Sequence, residues 1–279
     1  MNNRLRITGL ALTLAAIAIH PVIAADTGKP IKALLITGGC CHDYEHQKDI
    51  LKKGIEERGN IQVDIIWANK GDANDGSTKP ALPIYGNPDY AKGYDVGIHD
   101  ECSAGIDDPK IVEGVLKPHK DGIPGVNLHC AMHCYRIGKP NDPITDPAAQ
   151  HAFWFNYLGI QSSGHGAQAP ITITHTDKES PITKGLADWT TINEELYNNV
   201  KVLDNCHPLA TGKQVAKDKK TGAEKTSEYV VTWTSQYGKT RVFSTTIGHN
   251  NETVADPRYL DLVTRGLVWA VNRPDALKK

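Results

Sequence analysis

Short apolar runs alternate with helix-like segments through the first half of this chain, and this alternation limits the fold more than any other feature. Four runs have the length and apolar character of buried strands: residues 32–37, 62–67, 94–98 and 125–128. Between them, residues 45–58 and 109–119 carry apolar side chains at helical spacing. Strands that alternate with helices build a mostly parallel sheet, so the sequence predicts a doubly wound α/β fold with helices on both faces.

The second half of the chain predicts further strands and a closing helix. Residues 171–175 are typical of a strand, and residues 229–233 and 241–246 flank a turn and predict a hairpin. Residues 258–271 have the apolar positions of a buried helix. Two polar segments predict irregular structure: a loop over 69–90 and a charged, exposed connector over 213–226.

The N-terminus is typical of a Sec-type secretory signal. Two arginines precede an almost wholly apolar run over 7–19, and the small residues Ala24 and Ala25 follow it. A transmembrane anchor needs about 20 apolar residues, and this run is shorter. We therefore expect a signal peptide over 1–24, cleavage near Ala24 or Ala25, a folded unit over 25–279, no membrane anchor and a periplasmic or secreted location.

The charge and composition of the chain limit the classes of function that it can have. The net charge is −1, and loss of the two signal-peptide arginines makes it more negative, so nothing favours nucleic acid as a partner. Apolar residues make up 39% and charged residues 23%, as in an ordinary globular protein. Six cysteines lie at positions 40, 41, 102, 130, 134 and 206. We expect most to be small buried residues near a site, and we do not expect adjacent Cys40 and Cys41 to bridge each other.

Polar residues follow the predicted strands at the points where ligands bind in an open parallel sheet. His42 and Asp43 follow the first strand, residues 99–101 follow the third, and His129 ends the fourth. His133 lies four residues on and would face the same way if a helix begins at His129. Later polar residues of the same kind are His165, Glu194, Glu195, Tyr197, His249 and Asn250.

Several of these residues also have a structural interpretation. His42 and Asp43 could form a solvated turn or a helix cap, and His99 and Glu101 could be a surface pair. Glu194, Glu195 and His249 could serve as edge charges or structural hydrogen-bonding groups. His129 favours function more strongly, because a polar residue between a buried strand and a helix occupies the tight elbow where hydrolases hold a nucleophile.

A divalent metal, zinc or manganese, remains an alternative at this edge of the sheet. His129 and His133 have the spacing of metal ligands on a helix, but the residues between them lack the glutamate of an HExxH motif. His42, Glu101 or His165 could complete a three-ligand site, so the metal candidates are His42, His129 and His133. Histidine and carboxylate clusters also transfer protons without metal, and we favour that interpretation.

The order of the motifs resembles ThuA-like (trehalose utilisation) proteins. The resemblance runs from residue 31 to residue 271 and rests on these segments: Leu-Leu-Ile-Thr-Gly-Gly with His42-Asp43, Tyr94-Asp-Val, Gly-Val-Asn-Leu-His129, Pro181-Ile-Thr, Glu194-Glu195-Leu-Tyr197, Val-Thr-Trp233, Tyr237-Gly-Lys-Thr-Arg-Val-Phe, Gly248-His249 and Thr264-Arg-Gly-Leu-Val-Trp-Ala270. It implies the fold of class I glutamine amidotransferases, a flavodoxin-like, mostly parallel sheet with a C-terminal β-hairpin.

The resemblance also implies a function. Glutamine amidotransferases hold a catalytic cysteine at the elbow, whereas this chain has His129 there and Cys130 one place later, so glutaminase activity is not expected. The family is linked to sugar catabolism, which implies that this protein acts on 3-keto-glycosides. A partner sugar dehydrogenase would supply them. The segments around Cys40-Cys41 and 129–133 depart from the plainer family pattern, so this chain could act on a different substrate from other members of the family.

We therefore expect an exported enzyme, a hydrolase, lyase or isomerase, that acts on a sugar or a 3-keto-glycoside by acid/base chemistry. The predicted catalytic residues are His129 and Glu195 first, then Glu101, His133 and His249. The residues predicted to orient the carbohydrate are His42, Asp43, Arg136, His165, Tyr197, Trp233 and Asn250.

Two rival functions come from other classes. A periplasmic carbohydrate-binding or complex-associated protein would have the same fold without performing a reaction. A redox protein would use Cys130 and Cys134 as a disulfide that cycles with a thiol reductant.

Overall fold

The computed structural model describes residues 28–68, 77–218 and 221–278. The predicted signal peptide over 1–24 lies outside the described residues, as do residues 69–76 of the predicted loop. Within these ranges, no helix combines the length and the apolar character that crossing a membrane requires.

One half of the central sheet is parallel. Its strands follow the order β2, β1, β3, β4, β11, with these bounds: β1 Ile31–Gly39, β2 Ile61–Trp67, β3 Val96–Cys102, β4 Gly125–Leu128 and β11 Thr240–Thr245. The order β2-β1-β3-β4 is that of flavodoxin-like sheets, and β11 takes the place of a fifth parallel strand. The predicted doubly wound α/β fold is therefore confirmed.

The other half of the sheet is antiparallel and continues from β11. Its strands follow the order β10, β9, β6, β7, with these bounds: β6 Ala169–His175, β7 Trp189–Glu194, β9 Cys206–Lys217 and β10 Glu224–Tyr237. A separate two-stranded sheet pairs β5 (Ile160–Gln161) with β8 (Lys201–Val202). The predicted C-terminal hairpin is present as β10 and β11.

The segment over 213–226 is not the predicted irregular connector, because most of it belongs to β9 and β10, although most of its described residues are exposed as predicted. Gln214 shows why a charged sequence forms strand here. Its side chain is buried, and its amide donates hydrogen bonds to the carbonyl oxygens of Ala169 and Glu194, which lie on β6 and β7. Long-range pairing therefore outweighs the local polarity of the segment.

Helices cover both faces of the sheet. They are α1 Tyr44–Arg58, α2 Pro109–Lys120, α3 Phe153–Leu158, α4 Asn251–Val254 and α5 Pro257–Ala270. Alternate residues of β1 point to opposite faces. Ala33 and Leu35 join the core that contains residues of α1 and α5, and Leu34 and Ile36 join the core that contains residues of α2 and α3.

β3 extends four residues beyond its predicted end, so residues 99–101 lie within the strand and not after it. Pairing with β1 continues to Gly39, which draws the polar segment into the sheet. Its side chains are buried and find polar partners there: His99 contacts Glu101, and the Thr37 hydroxyl contacts Asp100. The interpretation of His99 and Glu101 as a surface pair is therefore wrong.

The turn from β1 to α1 contains a disulfide between neighbouring residues, Cys40 and Cys41. The expectation that these two cysteines would not bridge is wrong. The chain here adopts left-handed backbone, with φ of 102° at Gly39 and 83° at Cys41. A Cβ at position 39 would lie 2.4 Å from the carbonyl oxygen of Cys102, so only glycine fits this close turn.

Candidate functional site

His129 occupies the elbow at the end of β4. Its φ of 40° places it in the left-handed region, and its side chain is 2% exposed. Nδ1 lies 2.6 Å from the carbonyl oxygen of Thr246, an acceptor, so Nδ1 carries a proton. Nε2 is thereby directed toward the site at the edge of the sheet, as the sequence predicted.

His133 does not face the same way as His129. Residues His129–His133 form a 3-10 helix, in which three residues complete a turn, so a spacing of four residues rotates a side chain off the first face. Nε2 of His133 lies 2.9 Å from the Ser162 hydroxyl, and its ring stacks on Tyr197 with centroids 4.0 Å apart. His133 therefore supports the wall of the site and does not join the imidazole cluster.

Three imidazoles converge on one oxygen of Glu195, directly after β7. Oε2 lies 3.6 Å from Nε2 of His129, 3.5 Å from Nε2 of His165 and 3.4 Å from Nδ1 of His249. Glu195 is 7% exposed. Residues that are distant in the chain thus meet at one point, and we name His42, His129, His165, His249 and Glu195 the imidazole–carboxylate cluster.

The electrostatics of the cluster favour a charged carboxylate. Burial by itself raises the pKa of Glu195, but hydrogen bonds from His129 and His249 outweigh it, and the pKa of this carboxyl falls well below its usual range. The hydrogen bond to Glu195 raises the pKa of His249 in turn. Glu195 is therefore a carboxylate at neutral pH, and the protonated form of His249 is stabilised.

His42 completes the cluster from the turn after β1. Its ring centroid lies 4.6 Å from that of His129 and 4.8 Å from that of His249. Burial, followed by the neighbouring imidazoles of His129 and His249, lowers the pKa of His42 to about 2. His42 is thus a neutral imidazole with a free lone pair.

Part of the cluster has the donor set of a divalent-metal site. Ring nitrogens of His42, His129 and His249 all lie within 4.8 Å of one another. Nδ1 of His42 is buried and makes no hydrogen bond among the described residues. Three imidazoles suit zinc, and a nearby carboxylate also suits manganese. The predicted ligand set changes in one member, because His249 takes the place of His133.

Two further residues position the cluster. The Glu194 carboxylate accepts hydrogen bonds from the backbone amides of His249, at 3.0 Å, and Asn250, at 3.3 Å. Gln168 donates to Glu195 Oε1 at 3.3 Å, and its amide nitrogen lies 2.9 Å from Nε2 of His249. The sequence analysis missed Gln168, which belongs to no motif and reaches the cluster only through the fold.

Two predicted site residues lie elsewhere, and these predictions are wrong. Glu101 is fully buried on the opposite side of β3 from Asp100, where it contacts Nδ1 of His99 at 2.9 Å and accepts a hydrogen bond from the Tyr135 hydroxyl at 2.6 Å. Trp233 is also fully buried, and its indole donates to the carbonyl oxygen of Leu158. Neither side chain faces the cluster, because strand alternation turns both into the core.

The remaining predicted residues surround the cluster. Tyr197 is buried, with its hydroxyl 3.3 Å from Nε2 of His129. Arg136 donates to the carbonyl oxygen of Ser163, at the edge of the site. Asp43 accepts hydrogen bonds from His46 and Asn251, which use much of the hydrogen-bonding capacity of its carboxylate. The Asn250 amide donates to the carbonyl oxygen of Asn193.

Two open clefts flank the cluster, each of about 470 Å³. The first, which we name the His42 cleft, is lined by residues 41–43 and 249–252. The second, which we name the 163–167 groove, lies between residues 163–167 and the strands β9 and β10. Both volumes are in the range of small-molecule sites.

Comparisons with known proteins support the fold. A family model described as "ThuA: Trehalose utilisation" matches residues 121–270, more than half of the chain. No curated protein matches significantly. A ThuA-like protein from Parabacteroides merdae is 20% identical, covers 90% of this chain and 92% of its own, and has a TM-score of 0.61. A ThuA-like protein from Bacteroides uniformis is 16% identical, covers 90% of this chain and 95% of its own, and has a TM-score of 0.56.

Proposed function

This chain belongs to the ThuA family, described as trehalose utilisation, and we propose that it acts on a sugar or a 3-keto-glycoside by acid/base chemistry. The predicted resemblance is confirmed, and family membership gives the protein a carbohydrate-related role. The observation that carries the proposal is the approach of three imidazoles to one oxygen of Glu195.

Glu195 is the proposed proton acceptor. A keto group at C3 of a sugar acidifies the neighbouring C–H bonds, so a carboxylate held in a partly desolvated site can remove that proton. The low pKa of Glu195 keeps it ionised, and its 7% exposure limits the water around it. The same carboxylate stabilises positive charge on the surrounding imidazoles.

His249 is the proposed proton donor. It lines the His42 cleft, its pKa is raised by Glu195, and its side chain is 16% exposed, so it can reach a ligand in the cleft. The proton it gives neutralises the leaving glycosidic oxygen as the carbon–oxygen bond breaks. His129 is far less exposed, and we assign it to holding Glu195 in position.

The proposal excludes glutaminase chemistry. The elbow residue is an imidazole, which cannot form the thioester of an amidotransferase. Cys130 is buried, and its hydrogen bond with Cys102, followed by burial, raises the pKa of the Cys130 thiol well above its usual value. A thiol held in the protonated form is a poor nucleophile.

We also propose that the protein is exported and receives its substrate from a partner sugar dehydrogenase. The support for export is the signal-like sequence over 1–24. The support for the partner is chemical, because acid/base residues cannot create a keto group. An oxidising enzyme must supply it.

The direct test is turnover of 3-keto-disaccharides by purified protein, with and without a chelator. Glu195→Gln and His129→Ala test the cluster, and His207→Gln, which alters an exposed histidine paired with Asp177, is the control. We expect Glu195→Gln and His129→Ala to lose turnover and His207→Gln to keep the turnover of the wild type. Equal turnover by all the proteins would remove the assignment. Binding of unchanged sugar by the wild type would instead identify a non-catalytic carbohydrate-binding protein.

A further inference from the structure

A chain of sulfur atoms leads from the surface of the His42 cleft into the core. Cys41 is exposed and lines the cleft, and its disulfide partner Cys40 is half-buried. Sγ of Cys102, which is 3% exposed, lies 3.4 Å from Sγ of Cys40. Cys130 is also buried and packs in the same hydrophobic cluster. The disulfide in the turn after β1 is therefore in direct contact with a buried free thiol.

Cys102 has the properties of an attacking thiol. The thiolate is the form of cysteine that attacks a disulfide. The hydrogen bond with Cys130 lowers the pKa of the Cys102 thiol, although burial opposes this shift. Because Cys102 is buried, reagents in solution have little access to it, whereas the sulfur of Cys40 is already in contact. The arrangement therefore favours attack within the molecule.

Cys134 has a different role from Cys102. Its Sγ accepts a hydrogen bond from the backbone amide of Ser103 and donates one to the carbonyl oxygen of Glu101, both at 3.0 Å. Burial raises the pKa of the Cys134 thiol well above its usual value. Cys134 is thus a structural thiol, and the sulfur chemistry of this protein centres on Cys40, Cys41 and Cys102.

We infer that Cys102 and the Cys40–Cys41 bridge form a thiol–disulfide exchange site, which releases Cys41 as a reactive thiolate into the His42 cleft. The Cys102 thiolate forms a bond to Sγ of Cys40 while the bond between Cys40 and Cys41 breaks, and the electron pair of that bond remains on Cys41. The proton of Cys102 leaves before the attack. One disulfide replaces another, so the step needs no external oxidant or reductant.

The surroundings of Cys41 suit this release. Its φ of 83° lies in the left-handed region, which is unfavourable for a residue with a Cβ, and exchange removes the covalent link to the neighbouring residue. His249 lines the same cleft, and its hydrogen bond with Glu195 raises its pKa, so positive charge is available near the new anion. A thiolate in this position is a covalent modification site for small, soft electrophiles.

Trapping with iodoacetamide tests the exchange in the folded, non-reduced protein without sugar. The released thiolate displaces iodide and keeps the acetamide group, which prevents the reverse reaction. After an acid quench and digestion without reduction, mass spectrometry locates the label and the bridge. We expect the label on Cys41 together with a bridge between Cys40 and Cys102. A label on Cys102 with the Cys40–Cys41 bridge intact, or no label on either residue, would overturn the inference.

A matched pair of variants identifies the attacking thiol. Cys102→Ser should lose the label on Cys41 and keep the original bridge. Cys206→Ser is the control, because Cys206 packs against a different hydrophobic cluster, and it should be labelled on Cys41 as the wild type is. A folded Cys102→Ser protein that still carries the label on Cys41 would overturn the inference. If Cys102→Ser does not fold, the position of the bridge in the labelled wild type decides the question.

This inference does not depend on the proposed function, because the labelling needs no substrate. A protein that turns over no 3-keto-glycoside would remove the proposed reaction and leave the exchange site standing. A protein that turns over the substrate but keeps its Cys40–Cys41 bridge during trapping would do the opposite. The two results are therefore read from separate measurements.

Discussion

Oε2 of Glu195 and Nδ1 of His249 lie 3.4 Å apart, although each residue follows a different strand and the two are distant in the sequence. Hydrogen bonding within this pair raises the pKa of His249 and lowers that of Glu195. A proton acceptor and a proton donor therefore adjoin each other at neutral pH. Substitutions that disturb this pair, or the residues that hold it in position, should therefore change the rate of turnover.

Glu194 holds this pair together, and Glu194→Ala should weaken it. The substitution leaves the partly buried backbone amides of His249 and Asn250 without their carboxylate acceptor. We expect a loss of about 1–3 kcal/mol of stability from the unpaired amides. Turnover should fall by roughly 100-fold, since small misplacements of catalytic groups have effects of that size. Thermal unfolding measures the stability and kcat measures the turnover, with Glu179→Ala, which removes an exposed carboxylate paired with Lys184, as the control. An unchanged kcat in Glu194→Ala would contradict the role of Glu194.

The buried His119 should make the protein less stable in acid. Burial, followed by the neighbouring His99, lowers the pKa of His119 from 6.5 to about 3. Between these values the unfolded chain binds a proton that the folded protein does not, so stability falls as pH falls through this window. The slope is up to about 1.4 kcal/mol per pH unit.

Denaturant unfolding at several pH values between 3 and 6.5 measures this slope, and His119→Gln removes the titrating group. The variant should lose stability at neutral pH, because the imidazole also contacts the carbonyl oxygen of Ile123 at 2.8 Å. Its stability should nevertheless depend less on pH than that of the wild type. The same slope in both proteins would show that His119 does not govern the acid response.

The non-reduced protein should contain four free thiols. Cys40 and Cys41 form a disulfide, and Cys102, Cys130, Cys134 and Cys206 are free. A thiol-reactive chromophore in denaturant should therefore count four thiols before reduction and six afterwards. Mass spectrometry should place the bridge between residues 40 and 41. Six thiols before reduction would refute the pairing, and a Cys130–Cys134 bridge would revive the redox alternative.

Chelation should leave turnover intact, because Glu195 and His249 by themselves supply the acceptor and the donor. The measurement is the rate after extended treatment with a chelator, beside a metal analysis of the same sample. Loss of the rate, with recovery on adding zinc or manganese, would instead make His42, His129 and His249 metal ligands. In that case His42→Ala should lose the metal and His133→Ala should retain it, since His133 contacts Ser162.

Export should remove the N-terminal segment. In bacteria that express the full chain, we expect a periplasmic or secreted product that begins at Ala25 or Asp26. The N-terminal peptide of the purified product, read by mass spectrometry, gives the cleavage point. A variant with Arg4→Glu and Arg6→Glu should accumulate as uncleaved precursor. A wild-type product that keeps Met1 and stays in the cytoplasm would refute export.

Much of the fold could be predicted from local pattern. The strands of the parallel half, the helices between them and the buried face of α5 follow from apolar spacing within each segment. The elbow at His129 was also predictable, because polar residues at strand ends converge at one edge of a parallel sheet. Glu195 was a candidate from its sequence motif, but its place beside His129 depends on β7, an antiparallel strand that the sequence did not predict. β9 was not predictable in this way, since its buried Gln214 is stabilised by partners on β6 and β7.

The sequence by itself determined which segments form the parallel layer and which edge of the sheet carries the polar residues, because those properties depend on the order and periodicity of neighbouring residues. Only the tertiary structure decided which imidazoles meet. The 3-10 turn after β4 rotates His133 away, the continuation of β3 buries Glu101, and Glu194 draws His249 to the cluster. These outcomes depend on helix pitch, strand register and a contact between distant segments, none of which leaves a pattern within a single stretch of chain.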